Sequence, residues 1–534
     1  MNYITIDRNF NIREIGFQSF RFGDMTIFLD GLIYVYGIKA GNDTVKWLYE
    51  TVQSQGNIPF EELRGAYVCI IRQNKKIIAF CDNSNMHCIY YSEQMISTSF
   101  LKMINKDLDF DLEAVCEYLT LGNVFFDKTF FKNIRILNSS EIAVIEENKI
   151  TIIPKPIRDI DGPCNVSSIN DYFDRLAYSL SDLRICQALT GGYDSRMIYA
   201  CLSNKINDHP AISGNNLDDK DIKCASEVAN TCNAQLDIIK TEKPVFSEKI
   251  IWDLFEIKDG IIPFDLDADI RLFTFKTKLA RDYDVHLTGD GGVLHKDWEW
   301  TQDLPFYRKR KSNAKRFYRQ RLYYLSVGEY LGEALKDQFI NQEKRFEDEL
   351  KMISKSLNTQ SYDSWYYKVS GNRRTAYNYN PMSTLISYAP LNELDVVRYS
   401  YALPRRKRFF YNSIRNTITK ENKAMARIKT NYGTNASDEL LYIIPDVFCQ
   451  IIEYIRKAYR VIGRKMFNKN LLNNSVLNWS LEKELRNSDI AHIAIKYAQQ
   501  RRFIDIKLQM KDLPYIVIQR LIHLYCLMCI NAEK

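Results

Sequence analysis

The sequence predicts an α/β protein with an α+β part at its N-terminus, followed by a doubly wound parallel sheet and a helical C-terminal region. Residues 1 to about 155 contain short apolar runs bounded by Gly, Asn and Asp, as closely spaced strands do. From residue 169, apolar runs alternate with amphipathic helical stretches, which is the pattern of a parallel sheet with crossover helices. Beyond about residue 315 the pattern is mostly helical.

The individual elements follow from the same patterns. In the first part, strands are predicted at 25–29, 66–71 and 76–80, with a helix at 43–55. In the second part, helices at 169–183, 195–201 and 220–232 alternate with strands at 184–189, 211–213, 235–240 and 285–288. Three prolines and a glycine make residues 153–168 the best linker candidate. We therefore predict domains at 1–155 and 165–534, the second mostly helical after 315.

The composition is that of a soluble globular protein, with 46% hydrophobic and 26% charged residues among 534. This excludes a disordered chain, a collagen-like repeat and a disulfide-stapled miniprotein. A net charge of +7 is too mild to indicate a nucleic-acid binder. Twelve irregularly spaced cysteines, mostly beside apolar residues, indicate buried thiols in a reducing compartment. The N-terminus has no signal-peptide pattern, and no stretch approaches the ~18 apolar residues of a membrane span. We expect a soluble cytoplasmic protein with no membrane or nucleic-acid partner.

The most informative segment is QALTGGYDSR, in which a buried strand runs into a Gly-Gly turn and then a helix. Gly191 and Gly192 allow the backbone to approach an anion closely, and Thr190 and Ser195 offer hydroxyl groups. The free N–H groups and the positive end of the following helix also favour negative charge. Asp194 would then be a metal ligand, because phosphates need a cation and Mg²⁺ takes carboxylate oxygens. The alternative is a tight glycine turn, but the carboxyl end of a first α/β strand is where such sheets bind ligands.

This segment resembles the S-G-G-x-D-S pyrophosphate loop of the asparagine synthetase family, with Thr190 in place of the first serine. Three further segments resemble that family in the same order. Residues 213–233 are similar to its D-x-x-x-A-x-x-V-A helix and the strand before it, 286–292 to its second signature, and 387–404 to its P-x-L-D helix. The resemblance implies a PP-loop ATP pyrophosphatase domain that forms an acyl-adenylate, with ATP and Mg²⁺ as cofactors. It implies Leu189, Thr190, Gly191, Gly192, Asp194, Ser195, Thr288 and Gly289 as ATP and pyrophosphate contacts, and Asp194 as the metal ligand.

The N-terminal part resembles the amidotransferase domain of the same family over residues 65–91 and 112–145, which implies an Ntn-hydrolase-like α+β sandwich. The glutaminases of that family use the cysteine directly after the initiator methionine as a nucleophile. Here Asn2 stands at that position, and the nearest downstream cysteine is Cys69. We therefore predict a degenerate domain without glutaminase activity. The same loss marks the branches that make β-lactams, carbapenams and lasso peptides, in which the substrate supplies the amine.

The second signature departs from the family pattern at two positions. Asp290 stands where asparagine synthetases have Glu and β-lactam-forming enzymes have Tyr, and its carboxylate could orient or deprotonate an amine. Val293 stands where the family has an Asp that is normally the second Mg²⁺ ligand. Asp194 could suffice with phosphate oxygens and water, or Asp290 or Asp297 could contribute. The remaining alternative is a decayed site in a non-catalytic protein.

Residues Arg427-Ile428-Lys429 resemble the R-x-K motif of the family. Its lysine neutralises charge on the α-phosphate and on the tetrahedral intermediate, so the resemblance implies Lys429 as a catalytic residue beside Asp290. The alternatives are a solvated lysine on a basic segment, or a shift of the alignment onto Lys420 or Lys423.

Other signals are assigned structural roles. The basic run 308–321 is interpreted as a solvated helix face rather than a nucleic-acid or leader-peptide contact. Cys526 and Cys529 lack the second pair that a zinc site needs, so they are predicted to lie in a helix core. His295 is interpreted as a loop or satisfied pocket residue. Arg196 could contact pyrophosphate or form a surface salt bridge.

These observations predict an ATP-dependent ligase that couples a carboxylate to an amine. Its expected partners are a carboxylate-bearing peptide, small molecule or sugar acid, an amine, and proteins of the same pathway. Peptide or natural-product maturation is the first expectation. Amidation of a sugar uronate or amino acid with ammonia, and a non-catalytic ATP-binding scaffold, are the alternatives.

Overall fold

A computed structural model describes most of the chain, and every structural statement below refers to the residues it describes. Those are residues 2–533 without 85, 107, 215, 242–244, 264, 296–313, 323–326, 354–364, 366, 368–384, 409–410, 442, 449–450, 453–454 and 457–478. The predicted α/β class is confirmed, because the described residues form two antiparallel sheets, one parallel sheet and helices on their faces.

Two antiparallel sheets make up the N-terminal part. Their strands, in chain order, are β1 (Tyr3–Asp7), β2 (Ile12–Ile15), β3 (Gln18–Phe22), β4 (Met25–Tyr34), β5 (Arg64–Gln73), β6 (Lys76–Cys81), β7 (Ile89–Tyr91), β8 (Met95–Ser97), β9 (Arg135–Leu137), β10 (Glu141–Glu146) and β11 (Lys149–Pro154). One sheet has the order β2-β1-β8-β7-β9 and the other β11-β10-β6-β5-β4-β3. Ile6 and Ile96 of the first share a buried cluster with Ile70 and Ala143 of the second, so the sheets pack face to face.

Helices cover the outer face of each antiparallel sheet. Helix α1 (Asn42–Gln55) lies on the six-stranded sheet, where its Val45 and Leu48 are fully buried. Helices α2 (Phe100–Met103) and α3 (Leu112–Leu121) lie on the five-stranded sheet. The layer order is therefore helix, sheet, sheet, helix.

The parallel sheet has five strands in the order β14-β13-β12-β15-β16. These strands are β12 (Ile185–Ala188), β13 (Asp208–Ser213), β14 (Asp237–Ile239), β15 (Val285–Leu287) and β16 (Ile386–Tyr388). Helix α4 (Ile169–Leu180) precedes β12. The helices that follow it between the strands are α5 (Asp194–Leu202), α6 (Lys220–Thr231), α7 (Glu248–Ile257) and α8 (Leu266–Leu279). Ile185 packs in the cluster containing α5, whereas Cys186 packs in the cluster containing α8, so helices cover both faces of β12.

The C-terminal region is mostly helical, as predicted. Its helices include α9 (Ala314–Phe317), α10 (Glu333–Ile353), α11 (Leu394–Ala402), α12 (Arg405–Arg408), α13 (Asn412–Glu421), α14 (Lys423–Arg427), α15 (Trp479–Arg486), α16 (Asp489–Gln500) and α17 (Tyr515–Glu533). The region also supplies β16, a strand that the sequence did not predict. The predicted P-x-L-D helix is in fact this strand, a short 3₁₀ turn and α11.

Helix α17 bears on the expectation that no stretch of the chain is long and apolar enough to span a membrane. The segment Tyr515–Ala532 has a mean hydropathy of 1.4. By length and composition alone, this segment is long and apolar enough to cross a membrane. Of that segment, 56% is buried inside the protein, and Ile518, Leu521 and Ile522 pack in the same cluster as α3. A buried core helix passes the same test, so this is only a weak indication of a membrane span.

The predicted linker is a packed connection. Ile160 is buried, and the carbonyl of Asp159 accepts a hydrogen bond from Arg398 Nε at 3.0 Å. The Arg398 guanidinium also bonds the carbonyl of Arg158 and pairs with Glu61 of the N-terminal part at 2.7 Å. The segment is therefore held from both sides.

Candidate active site

The predicted phosphate loop lies at the carboxyl end of β12, the central strand of the parallel sheet, and leads directly into α5. Leu189 is fully buried, and its N–H donates to the carbonyl of Ala211 at 3.0 Å. The Thr190 N–H donates to Ser195 Oγ at 3.1 Å, and the two hydroxyl oxygens lie 2.9 Å apart. The loop therefore closes across the first turn of α5. The N–H groups of that turn, which have no partner within the helix, lie at the sheet edge where an anion is favoured.

The second predicted signature packs directly against the phosphate loop. Gly289 and Gly292 follow β15, which pairs with β12. A Cβ atom at Gly289 would lie 3.0 Å from the main-chain nitrogen of Ser195, and one at Gly292 would lie 2.1 Å from Cγ of Asp194. Glycine at these positions allows the two loops to meet. The structure thus brings together two signatures that lie about a hundred residues apart.

Residues 429–435 form a hairpin, called the lysine hairpin below, with an antiparallel bridge between its ends. The Asn431 N–H donates to the carbonyl of Gly191 at 3.1 Å. The side-chain amide of Asn431 and the N–H of Gly191 both donate to Oδ1 of Asp221, at 2.8 and 3.0 Å. Asp221, in the first turn of α6, therefore joins the hairpin to the loop. The Gly191 N–H is used in this contact, so Gly191 contributes close packing rather than a donor to phosphate.

Lys429, which begins the hairpin, lies two residues from this contact. Its side chain is exposed and forms no ion pair with the described residues. Lys423 and Arg427 instead pair with Glu439, at 2.6 and 3.0 Å. Lys423 is therefore held by an acidic side chain, whereas Lys429 is not held in this way by the described residues.

Tyr193, the variable residue of the loop, anchors the other end of the hairpin. Its hydroxyl lies 2.7 Å from Thr434 Oγ1 and donates to the carbonyl of Asn435 at 3.0 Å. The Arg415 guanidinium donates to the Tyr193 hydroxyl oxygen at 2.8 Å, and the Tyr193 ring stacks on Tyr411 with centroids 4.6 Å apart. Burial raises the pKa of Tyr193 to about 12, so the hydroxyl stays protonated as a donor.

Arg196, the residue after Ser195, has neither of its two predicted roles. Its side chain is fully buried and cannot form a surface salt bridge. Its guanidinium donates to the carbonyls of Ile428 and Lys429, at 2.6 and 3.1 Å, rather than facing the loop. Arg196 therefore contacts the lysine hairpin from inside the protein.

Asp290 lies half-buried in the second signature. Its Oδ2 accepts a hydrogen bond from the Thr288 hydroxyl at 2.8 Å, and the Thr288 N–H donates to the carbonyl of Tyr388 at 2.9 Å. Lys276 of α8 lies within electrostatic range, and its Nζ has no hydrogen-bond partner among the described residues. Burial lowers the pKa of Lys276 to about 7, although the Asp290 carboxylate acts in the opposite direction. Asp290 thus has a fixed orientation and a buried amine nearby.

The residues around Asp194 fit a hard divalent cation. Asp194 supplies a half-buried carboxylate at the N-terminus of α5, and the hydroxyls of Thr190 and Ser195 lie on the same loop. Oxygen donors are those that Mg²⁺ prefers, and one carboxylate with phosphate oxygens and water is a common ligand set for it. The missing Cβ of Gly292 leaves the space that the carboxylate occupies.

Val293 and His295, at the end of the second signature and just after it, have structural roles. Val293 packs against an apolar cluster that includes Leu394 and Val397. His295 is fully buried, with its ring nitrogens bonded to Ser400 Oγ and, at 2.8 Å, to the carbonyl of Leu391. His295 is therefore a satisfied pocket residue, as expected. Asp297 lies outside the described residues.

The other structural assignments agree with the structure where it describes them. Residues 308–313 of the basic run lie outside it, but Arg319 and Lys315 pair with Glu343, as on a solvated helix face. Cys526 is buried in α17, and the described cysteines are free thiols.

In the N-terminal part, Asn2 stands where the resemblance to glutaminases implies a nucleophilic cysteine. Asn2 donates from its side-chain amide to Asp30 Oδ1 at 3.2 Å. Cys69 is fully buried in β5 and faces the cluster under α1, and burial raises its thiol pKa well above the usual range. Such a thiol is not a nucleophile.

Sequence reasoning missed several residues that build the site. Asp221 stands at the first position of the D-x-x-x-A-x-x-V-A motif, so its signal was present without an assigned role. Asn431, Tyr193 and Lys276 had no signal, because each acts through a contact with a distant segment.

Comparisons with known proteins add little to this geometry. No protein-family model matches the chain, and a comparison with curated proteins gives no match. Among solved structures, it is similar to a glutamine-dependent NAD⁺ synthetase from Acinetobacter baumannii in complex with ADP, with 11% identity and a TM-score of 0.18 over 36% of this chain and 43% of that one. It is also similar to a glutamine phosphoribosylpyrophosphate amidotransferase from B. subtilis complexed with ADP and GMP, with 11% identity and a TM-score of 0.14 over 32% and 42%.

A third similar structure is the allosteric regulatory enzyme of purine biosynthesis, with 8% identity and a TM-score of 0.15 over 43% of this chain and 63% of that one. The chain spans less than two thirds of the length of each of the three. Similarities this slight carry no conclusion about fold or activity. The assignment to the asparagine synthetase type therefore stays a prediction from the motifs.

Proposed function

We propose that this protein is an AMP-forming ligase of the asparagine synthetase type, which adenylates a carboxylate and couples it to an amine. The observation that supports the proposal is the meeting of three distant segments at the N-terminus of α5. The phosphate loop offers N–H and hydroxyl donors, the second signature offers the Asp290 carboxylate, and the lysine hairpin offers the Lys429 ammonium. Activation of a carboxylate by ATP requires such groups side by side.

The first step is transfer of an adenylyl group. A carboxylate oxygen of the substrate attacks the α-phosphorus of ATP, and the bond from that phosphorus to the bridging oxygen of the β-phosphate breaks. Pyrophosphate leaves with the electron pair, held by the first-turn N–H groups of α5 and the Thr190 hydroxyl. Mg²⁺, when held by Asp194, supplies positive charge to the phosphates. Lys429 neutralises the α-phosphate, a contribution worth about 10²–10³ in rate for one such donor.

The second step is aminolysis of the acyl-adenylate. The amine nitrogen attacks the acyl carbon, the bond from that carbon to the AMP oxygen breaks, and AMP leaves. The nitrogen must lose a proton, and we assign its acceptance to Asp290, the carboxylate of the second signature. Its hydrogen bond from Thr288 fixes the carboxylate for that transfer.

The amine in this proposal does not come from glutamine. Asn2 replaces the nucleophile, and the thiol of Cys69 is buried and protonated. We propose that the carboxylate and amine belong to a peptide or small natural product in a biosynthetic pathway. Amidation of a sugar uronate or amino acid with free ammonia would use the same chemistry. The replacement of the acidic residue at Val293 favours a second candidate, a non-catalytic ATP-binding protein.

ATP–pyrophosphate exchange against a panel of peptide, amino-acid and uronate carboxylates tests the proposal. We expect carboxylate-dependent exchange and the products AMP and pyrophosphate in the presence of an amine. Lys429→Ala should reduce the exchange by about 10²-fold or more, whereas Lys423→Ala, which removes the lysine bound to Glu439, should leave it unchanged. Release of ADP and orthophosphate would reject the reaction. ATP binding without exchange for any carboxylate would favour the non-catalytic protein.

A further inference from the structure

The guanidinium of Arg196 is one of the most deeply buried charges in the described part of the chain, with 0% of the residue exposed. Its Nη1 donates to the carbonyls of Ile428 and Met425, at 2.6 and 3.4 Å, and its Nη2 donates to the carbonyl of Lys429 at 3.1 Å. The described residues give it no carboxylate partner in an ion pair. Burial lowers the pKa of Arg196 to about 10, which still leaves it charged at neutral pH. Three main-chain carbonyls therefore balance the charge.

These carbonyls belong to one structural feature, the end of α14 and the start of the lysine hairpin. Met425 lies in the last turn of α14, Ile428 caps it, and Lys429 follows directly. Carbonyls at the end of a helix have no helical partner, and a cation there is favourable. Arg196 therefore fixes the backbone from which the Lys429 side chain projects.

The same arginine is part of the phosphate-binding unit. It follows Ser195 in the first turns of α5, the helix whose N-terminus faces the proposed phosphates. The planar guanidinium can donate to two carbonyls at a fixed separation, which an ammonium group cannot do. Arg196 therefore links α5 to the start of the lysine hairpin, in addition to the contacts that Asp221 and Tyr193 make with the hairpin.

We propose that Arg196 is a positioning residue that sets the distance between Lys429 and the phosphate loop. This inference rests on the proposed function, because it gives Lys429 its role at the α-phosphate. Arg196 is not a catalytic residue, since its buried side chain contacts only the protein. Its contribution to the rate passes through Lys429, and removing Lys429 should remove that contribution.

A double-mutant cycle measures this dependence. We expect Arg196→Met to lower pyrophosphate exchange by about 10²-fold in the presence of Lys429, because a misplacement near 1 Å has about that effect. In a Lys429→Ala background the same substitution should lower the residual exchange less than about 3-fold, since interacting sites are not additive. Arg196→Lys keeps the charge and should recover only part of the loss. If Arg196→Met does not fold, Arg196→Lys replaces it in the double-mutant cycle.

Arg398→Met is the matched control. Arg398 is buried to the same degree and donates to the main-chain carbonyls of Arg158 and Asp159, but it contacts the 153–168 segment rather than the hairpin. Arg398→Met should lower thermal stability at least as much as Arg196→Met does, because it also removes the arginine partner of the Glu61 carboxylate. Its effect on exchange should be the same with and without Lys429. Equal factors for Arg196→Met in the two backgrounds would overturn the proposal.

Hydrogen–deuterium exchange gives a readout that needs no activity. The N–H of Asn431 is protected by Gly191, and that of Ala436 by Ala426. Arg196→Met should increase exchange across 428–436 by at least tenfold, and Arg398→Met should not. If the wild-type protein shows no pyrophosphate exchange, the proposed function fails while this measurement still decides whether Arg196 holds the hairpin. Unchanged protection in both Arg196 variants would overturn the inference.

Discussion

Substituting alanine for Gly292 tests whether the second signature supports Asp194 by shape. A Cβ atom there would lie 2.1 Å from Asp194 Cγ and 2.5 Å from each carboxylate oxygen. Ordinary contact begins at 3.4 Å, so the two groups must separate by about 1.3 Å in Gly292→Ala. Gly292 begins a 3₁₀ turn that ends at the buried His295, which resists movement. The carboxylate of Asp194 is the more mobile group and should rotate away.

We expect Gly292→Ala to lower pyrophosphate exchange by about 10²-fold, or about 2.7 kcal/mol in activation free energy, because displacements near 1 Å have effects of this size. The Mg²⁺ concentration for half-maximal rate should rise, because Asp194 is the proposed protein ligand. Mg²⁺ titrations of the exchange rate, with thermal unfolding curves of both proteins, measure these effects.

Gly332→Ala is the matched control, because its Cβ would lie 2.2 Å from the carbonyl oxygen of Arg502. It should lower the stability by a similar amount without changing the Mg²⁺ requirement. The reasoning would be refuted if Gly292→Ala retained near-normal exchange at an unchanged Mg²⁺ requirement. It would also be refuted if both variants shifted that requirement equally.

Four other predictions follow from the described geometry. Pure protein should release no glutamate from glutamine, because Asn2 replaces the nucleophile; steady release would contradict this. Asp290→Asn should slow amide formation at least tenfold and spare pyrophosphate exchange, because the carboxylate accepts a proton only in the second step. Val293→Asp should lower the melting temperature by several degrees and should not lower the Mg²⁺ requirement, because it places a carboxylate in an apolar cluster rather than beside Asp194. Lys276→Met should stabilise the protein, and the gain measured by thermal unfolding should shrink as the pH rises. Burial lowers the pKa of Lys276 to about 7, and its charged or titratable neighbours are Asp290, Lys258 and His286. Between about pH 7 and the pKa of Lys276 in the unfolded chain, the unfolded state binds more protons than the folded state. The stability of the wild-type protein therefore increases with pH in that range.

The elements around the phosphate loop were predicted from the sequence because their signals are local. The apolar run before Thr190 became β12, and the turn at Gly191 led into α5 within one residue of the expected start. The helix at 220–232 became α6, one residue shorter than expected at its C-terminus. Apolar periodicity and glycine turns depend on neighbouring residues alone, so one sequence is enough to show them.

The contacts that assemble the site could not be predicted in this way. The Asn431 side chain reaches Asp221 across 210 residues of sequence, and Arg196 reaches Lys429 across 233. No local pattern records such pairings. The three-residue strand β16 was missed for a related reason, because a run this short is stabilised by pairing with β15 rather than by its own propensity.

A valine at position 293, where the resemblance to asparagine synthetases implies an acidic residue, has a physical explanation in the packing of this segment. Val293 and Leu294 lie in an apolar cluster with Leu394 and Val397 of α11, so their side chains stabilise the 3₁₀ turn that Gly292 begins. That turn places Gly292 against the Asp194 carboxylate. The second signature therefore supports the proposed metal ligand by contact instead of adding a second carboxylate at Val293. Since one carboxylate with phosphate oxygens suffices for Mg²⁺, valine at position 293 is compatible with the proposed reaction as long as the shape around Asp194 is kept.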